Sequence, residues 1–389
     1  MRVLSMILCM VVSNSIVQAL DQVSAGPEPD KELRFGMSTA LSGPVAGLGR
    51  AMKDGVTMAF AEANAKGGVR GYKLRLIALD DSYHPPTAAS NVKRLIEQDG
   101  VLAIVGNLGT PTARLALPVA RQAGVLFYGA MTGDDALRPD PPDRYIINFR
   151  ASYAREVTTI LDHLLGKGIQ PEEIAFFTQD DSYGASVHED AVRQLEARGF
   201  AQARALAHGR YARNTLQVEA ALVALIRVPV RPRAVIMVGA FRPGAKFILL
   251  ARQVFPDMIF MNVSFVGSAP LKKLLDRTSP GPDLRVTVTE VVPPLDAALP
   301  AVQAFHDARA RWSPGMDADA AVLEGYLAAR ILVRGLKAAP ALTREGVIDG
   351  LLNLGQIDIG MGSTLYLGPA RHQASRSVWP VNLIGDPLP

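Results

Sequence analysis

The chain has 389 residues, 49% of them hydrophobic and 20% charged, with 34 Gly and 27 Pro. That balance excludes disordered, collagen-like and coiled-coil chains, and the length calls for at least two lobes. The formal charge of +4 comes from 41 basic and 37 acidic residues spread along the sequence, with no Lys/Arg block to track a phosphate backbone, so nucleic acid is not an expected partner.

At the N-terminus, Arg2 precedes an apolar stretch, Val3 to Val12, broken only by Ser5, and Val17-Gln18-Ala19 places small residues at −3 and −1 of a cleavage site after Ala19. Residues 1–19 therefore read as a cleaved secretory signal, and the apolar run is short of the ~20 residues a membrane anchor needs. The only cysteine, Cys9, lies inside that segment, so the exported chain would rest on its core without disulfides or thiolate chemistry. The expected location is periplasmic.

Beyond a polar leader, residues 20–33, short apolar runs alternate with helical patterns. Leu33 to Ala40 predicts a strand, Arg50 to Lys66 a helix stopped by Gly67-Gly68, Leu74 to Leu79 a strand and Thr87 to Gln98 a helix. A strand at Leu102 to Val105, a helix at Thr112 to Gln122 and a strand at Val125 to Tyr128 continue the series. After the irregular Arg138 to Asp143 stretch the alternation restarts. Strands are expected at Ile174 to Thr178, Ala234 to Val238 and Met258 to Asn262, with helices at Ala185 to Arg198, Leu216 to Arg227 and Gly244 to Val254. From Asp283 onward a strand, Arg285 to Val291, precedes helices at about Pro300 to Trp312, Ala318 to Lys337 and Arg344 to Leu352. Repeated βα units imply an α/β fold of two doubly wound parallel-sheet lobes.

In such sheets ligands sit at the C-terminal ends of strands. The loop Gly106-Asn107-Leu108-Gly109-Thr110-Pro111 combines flexible backbone, a hydroxyl and a helix start, an anion seat unless Thr110 merely caps its own helix. Gly129-Ala130-Met131-Thr132-Gly133 follows the next strand and could close around the same carboxylate. Enzyme signatures are weak: there is no Walker lysine motif and no zinc-spaced His pair, and the Ser90-to-Lys93 match to Ser-x-x-Lys lacks its companions. Neither an enzyme, a metal nor an organic cofactor is expected, and a secreted hydrolase would need a nucleophile–base pair that is not found.

Leu41-Ser42-Gly43-Pro44, the Asn64 to Gly71 run, Asp80-Asp81 followed by Pro85, the Gly106 to Thr110 loop and Ser182-Tyr183-Gly184 together resemble the leucine/isoleucine/valine-binding family of periplasmic ABC-transporter receptors. The resemblance runs from about Arg34 to Leu367 and implies a type I periplasmic-binding fold, two lobes joined by a three-crossover hinge. It places 34–150 plus 289–361 in lobe 1 and 151–288 plus 362–389 in lobe 2. It implies a monomer that closes on a small carboxylate or amino-acid ligand and delivers it to a membrane permease; a sensory receptor of the same fold is the alternative. By the same resemblance Thr110 binds the ligand carboxylate beside Leu108 and Gly109, Ala130 and Thr132 meet the polar end, Leu48 and Tyr183 wall the pocket, and Phe241 faces the ligand. The family's bridging cysteines correspond to Tyr83 and Gly109. Its ammonium-neutralising acid corresponds to Ser264, which favours a 2-oxo, aromatic or aliphatic acid because a desolvated ammonium without a carboxylate is costly, unless Asp134, Asp135 or Glu290 reaches in to restore an ammonium site.

Overall fold

The structure is a computed structural model that describes residues 31–278 and 283–385. The expected signal segment, 1–19, lies outside the described residues. Glu32, expected in the leader, already belongs to the first strand.

The first lobe is built on β1 (Glu32–Thr39), β2 (Lys73–Asp80), β3 (Ala103–Val105), β4 (Leu126–Tyr128) and β5 (Ile146–Ile147), in the order β2-β1-β3-β4-β5. All four pairings are parallel. Helices α1 (Ala46–Ala65), α2 (Pro85–Glu97) and α3 (Thr110–Gln122) supply the crossovers. The second lobe contains α4 (Tyr153–Gly166), β6 (Ile174–Gln179), α5 (Ser182–Ala197), β7 (His208–Tyr211), α6 (Glu219–Ile226), β8 (Ala234–Val238), α7 (Phe241–Val254), β9 (Ile259–Asn262), α8 (Ser268–Asp276) and β10 (Arg285–Glu290). Every residue of β6 and β8 is buried, as expected for strands covered by helices on both faces.

The chain then returns. Helices α9 (Pro300–Trp312), α10 (Ala320–Ala338) and α11 (Arg344–Leu352) and the hairpin β11 (Gly355–Ile357) and β12 (Leu365–Leu367) join the first lobe's core before β13 (Trp379–Ile384) closes the second sheet. That sheet runs β13-β10-β9-β8-β6-β7, with β13 alone antiparallel. The passages between sheets differ from the expected boundaries at 289 and 362. β10 stays in the second sheet through Glu290, and 372–375 still runs beside β5, bonded to Asn148 and Phe149.

Close approach of α1 and α10 fixes the returning helices on the first lobe. A Cβ at Gly325 would lie 2.5 Å from the Met52 carbonyl oxygen, and one at Gly55 2.1 Å from that of Val322. Gly325→Ala is therefore expected to destabilise the protein by about 1–3 kcal/mol through overpacking, read as a lower urea midpoint at unchanged slope.

Helix α4 has no counterpart in the sequence-based expectations, although Val157, Ile160, Leu161 and Leu164 have helical spacing and are buried. Ser152 caps it, accepting a bond from the Arg155 N–H. The short β5 and β7 were equally invisible to periodicity.

Candidate functional site

The loops after β3 and β4 are zipped together. Met131 N–H donates to Asn107 O at 2.7 Å and Gly109 N–H to Met131 O at 3.2 Å. The cap of α3 is Gly109, with φ +90°, and Thr110 is the first helical residue. Its hydroxyl is therefore not a cap. Instead the Thr110 and Thr132 hydroxyls lie 2.7 Å apart, both fully buried. Thr132 Oγ1 also accepts from Asp134 N–H at 3.2 Å, while its own N–H donates to Ala130 O at 2.8 Å. The buried Tyr153 hydroxyl faces both threonines without a hydrogen-bond partner of its own, and burial pushes it up to about 12.

Tyr83 and Gly109, where the family's cysteines would pair, are also in contact. A Cβ at Gly109 would lie 2.4 Å from Tyr83 Cε2, so the buried ring takes the space that a disulfide would fill. Tyr83 also reaches the second lobe: Gln179 Nε2 donates to its hydroxyl at 3.3 Å, Phe265 lies at a centroid distance of 5.9 Å and Arg213 stands 5.8 Å over the ring. Tyr183 packs at 5.5 Å from Tyr153 and 4.8 Å from Phe265, its hydroxyl buried without a partner. Leu48 crosses from the first lobe to lie against Gly267. Phe241 stands apart. It belongs to a separate core of the second lobe that also includes Phe247 and Tyr211, whereas Leu48, Leu108 and Tyr183 share the core that spans both lobes.

Between the lobes remains a space of about 10 Å³, walled by Leu48, Met131, Ser264, Glu290, Asp319 and Glu324 among others. That holds about one water, so the lobes are closed on one another and must part to admit an organic ligand. Ser264 does occupy the cleft, but the expectation that an ammonium would find no carboxylate there fails. Glu290 comes from the end of β10, Asp319 from the cap of α10 and Glu324 from its second turn, positions too distant in sequence to be read as one cluster.

Sequence reasoning also missed Arg150, which is 1% exposed and central to this arrangement. It donates to Ser264 Oγ, stands 3.7 Å from Glu156 and, through Nε, 3.6 Å from Glu324, and leaves its Nε and Nη1 without hydrogen-bond partners. Burial opposes its charge, but Glu324 and Glu156 outweigh that and hold the guanidinium above its ordinary value. Glu156 is saturated by Ser264 N–H at 2.7 Å, Ser264 Oγ at 3.0 Å and Thr289 Oγ1 at 2.7 Å. Glu290 is different: one carboxyl oxygen has no partner. Burial first, then the charges of Asp319 and Glu156, push it up to about 8. Burial likewise raises Glu324 and Asp319. A cation entering this end of the cleft would relieve all three.

Comparison with known proteins agrees with this architecture. A family model described as periplasmic binding protein matches residues 32–386. A possible leucine/isoleucine/valine-binding protein from Rhodopirellula baltica superposes with a TM-score of 0.87 at 44% identity, covering 92% of this chain and 95% of that one. Leu/Ile/Val-binding protein homolog 7 of Brucella abortus is 32% identical over 188 residues, 45% of this chain and 46% of that relative, so the match spans about half of the relative's length. Leu/Ile/Val-binding protein BraC3 of Rhizobium johnstonii is 24% identical over 352 residues, 87% of this chain and 89% of that one.

Proposed function

The chain belongs to the periplasmic binding protein family, and on that premise we propose that it is the extracytoplasmic receptor of an ABC importer, closing on a small amino acid and presenting it to a membrane permease. The observation that carries this reading is the convergence, between two lobes, of buried polar groups of opposite character: the Thr110–Thr132–Tyr153 hydroxyls at one end and Glu290, with its free oxygen, at the other. Hydroxyl donors at a helix start suit a carboxylate, and a desolvated carboxylate suits an ammonium.

This revises the ligand expected from Ser264 alone. With Glu290, Asp319 and Glu324 around the cleft, an amino acid is favoured over its 2-oxo analogue. The names of the relatives, which describe leucine, isoleucine and valine binding, support the same class. Export through residues 1–19, action as a monomer and the absence of catalysis are parts of the same reading. The ligand works as a clamp between lobes. Contacts made simultaneously to both exist only when they are closed, so binding shifts the population toward closure.

Thr110→Ala should weaken the amino acid by about 1.5–3 kcal/mol, the range for a hydrogen bond to a charged group. Titration calorimetry on protein freed of carried-over ligand by unfolding and refolding measures this, and unchanged affinity removes Thr110 from the site.

A further inference from the structure

Beside the cleft, the loop after β4 makes a second set of bonds to the opposite lobe. Ser186 Oγ of α5 donates to Asp134 Oδ1 at 2.8 Å. Asp134 is itself clamped by Arg114 of α3, through Nε at 2.7 Å and Nη2 at 2.8 Å. Two turns further along α5, Arg193 Nη2 bridges Asp135 of the first lobe, at 3.2 Å, and Asp190 of the second. Asp190 is 1% exposed, and its Oδ2 has no partner.

We propose that Asp134 and Asp135 on one lobe and Ser186, Asp190 and Arg193 on the other form a latch that holds the lobes together without ligand and loosens when Asp190 ionises. The inference rests on the reading that the lobes open and close.

Charge balance is the reason. Arg114 clamps Asp134 and Arg138 donates to the Asp134 carbonyl, whereas Asp190 pairs with Arg193 alone, which Asp135 shares, so once ionised Asp190 stands near two carboxylates with one shared cation. Among the described residues no other cation is hydrogen-bonded or ion-paired to it. The nearby contacts of α4 to α5 are neutral, Thr158 and Ala154 O with Gln194, the Asp162–Arg198 pair lies at the far end of the helix, and Glu189 is turned to Arg204. Burial first, then the Asp135 charge, push Asp190 up to about 7, against the pull of Arg193. Opening removes Asp134 and Asp135 from its surroundings and lets it ionise at lower pH. The closed state thus binds the extra proton. Closure is strongest in acid and weakens as pH rises toward 7, by at most tenfold in the closed-to-open ratio per pH unit.

The test is the distance between lobes in the ligand-free protein, from spin labels on Leu115→Cys in α3 and Val223→Cys in α6, exposed positions on opposite lobes. The short-distance population is expected to be several-fold larger at pH 5 than at pH 8. Asp190→Asn should lose most of that difference, and Ser186→Ala with Arg193→Gln should open at both. Equal distributions at pH 5 and 8 in the parent protein, or an undiminished pH response in Asp190→Asn, would overturn the latch. Adding leucine at pH 8 separates the two ideas: if it closes the lobes while the pH response is absent, the latch alone is wrong; if it does not, the receptor reading itself fails.

Discussion

Glu290→Gln is expected to weaken amino-acid binding at least a hundredfold, the largest ligand effect in this protein. The residue is buried at the end of β10, with one oxygen unpartnered. An ammonium desolvated opposite it loses its charge partner in the variant, and breaking a buried pair costs about 3–5 kcal/mol, with 1.4 kcal/mol per factor of ten in Kd. A 2-oxo acid, which brings no ammonium, should lose far less.

The same carboxyl gives binding a pH dependence of defined sign. Held at about 8 in the closed cleft, Glu290 is mostly protonated at pH 7, and an arriving ammonium favours the ionised form. Binding therefore releases a proton, and affinity rises with pH below 8 and levels off above it, while the ligand's own amine stays charged. Calorimetry in two buffers of different ionisation enthalpy measures the proton directly. Zero release in the parent protein, or full release in Glu290→Gln, contradicts the assignment.

The second large effect is on stability. Arg150→Met should cost about 3–5 kcal/mol, because Glu156 and Glu324 lose the cation that stands between them, and a buried charge stripped of its partner is far more damaging than an absent pair. The pH course identifies the cause. Glu324 is already raised by burial, opposed by Arg150; without the arginine it rises further. Such a group costs the folded state most above its folded pKa, so the deficit shrinks on acidification as Glu324 takes a proton. Adding Glu324→Gln to Arg150→Met should recover part of the loss. A deficit independent of pH would instead point to lost packing.

Much of this architecture is legible in the sequence, and for identifiable reasons. Buried central strands such as Ala234–Val238 and helices such as Ala46–Ala65 carry long, unambiguous patterns, so the two wound lobes follow from periodicity. The strand-end loops carrying Thr110 and Thr132 follow from the rule that parallel sheets place such loops together, and the two hydroxyls do meet. The acidic end of the cleft is another matter. Glu290 and Glu324 lie on elements that only the crossovers bring to Arg150 and Glu156, and no local spacing announces a buried charge. Ser264 illustrates the difficulty: read alone it argued against an ammonium, but its neighbours in space are carboxylates. Phe241, expected to face the ligand, belongs to the second lobe's own core.

Cleft electrostatics carry the central claim, so the most direct measurement is calorimetric titration of the refolded, ligand-free protein with leucine and, separately, with its 2-oxo analogue at pH 7.5. Leucine should bind at least a hundredfold more tightly, with release of a proton. Equal or tighter binding of the 2-oxo acid would contradict the account and return Ser264 to the role its sequence position first suggested.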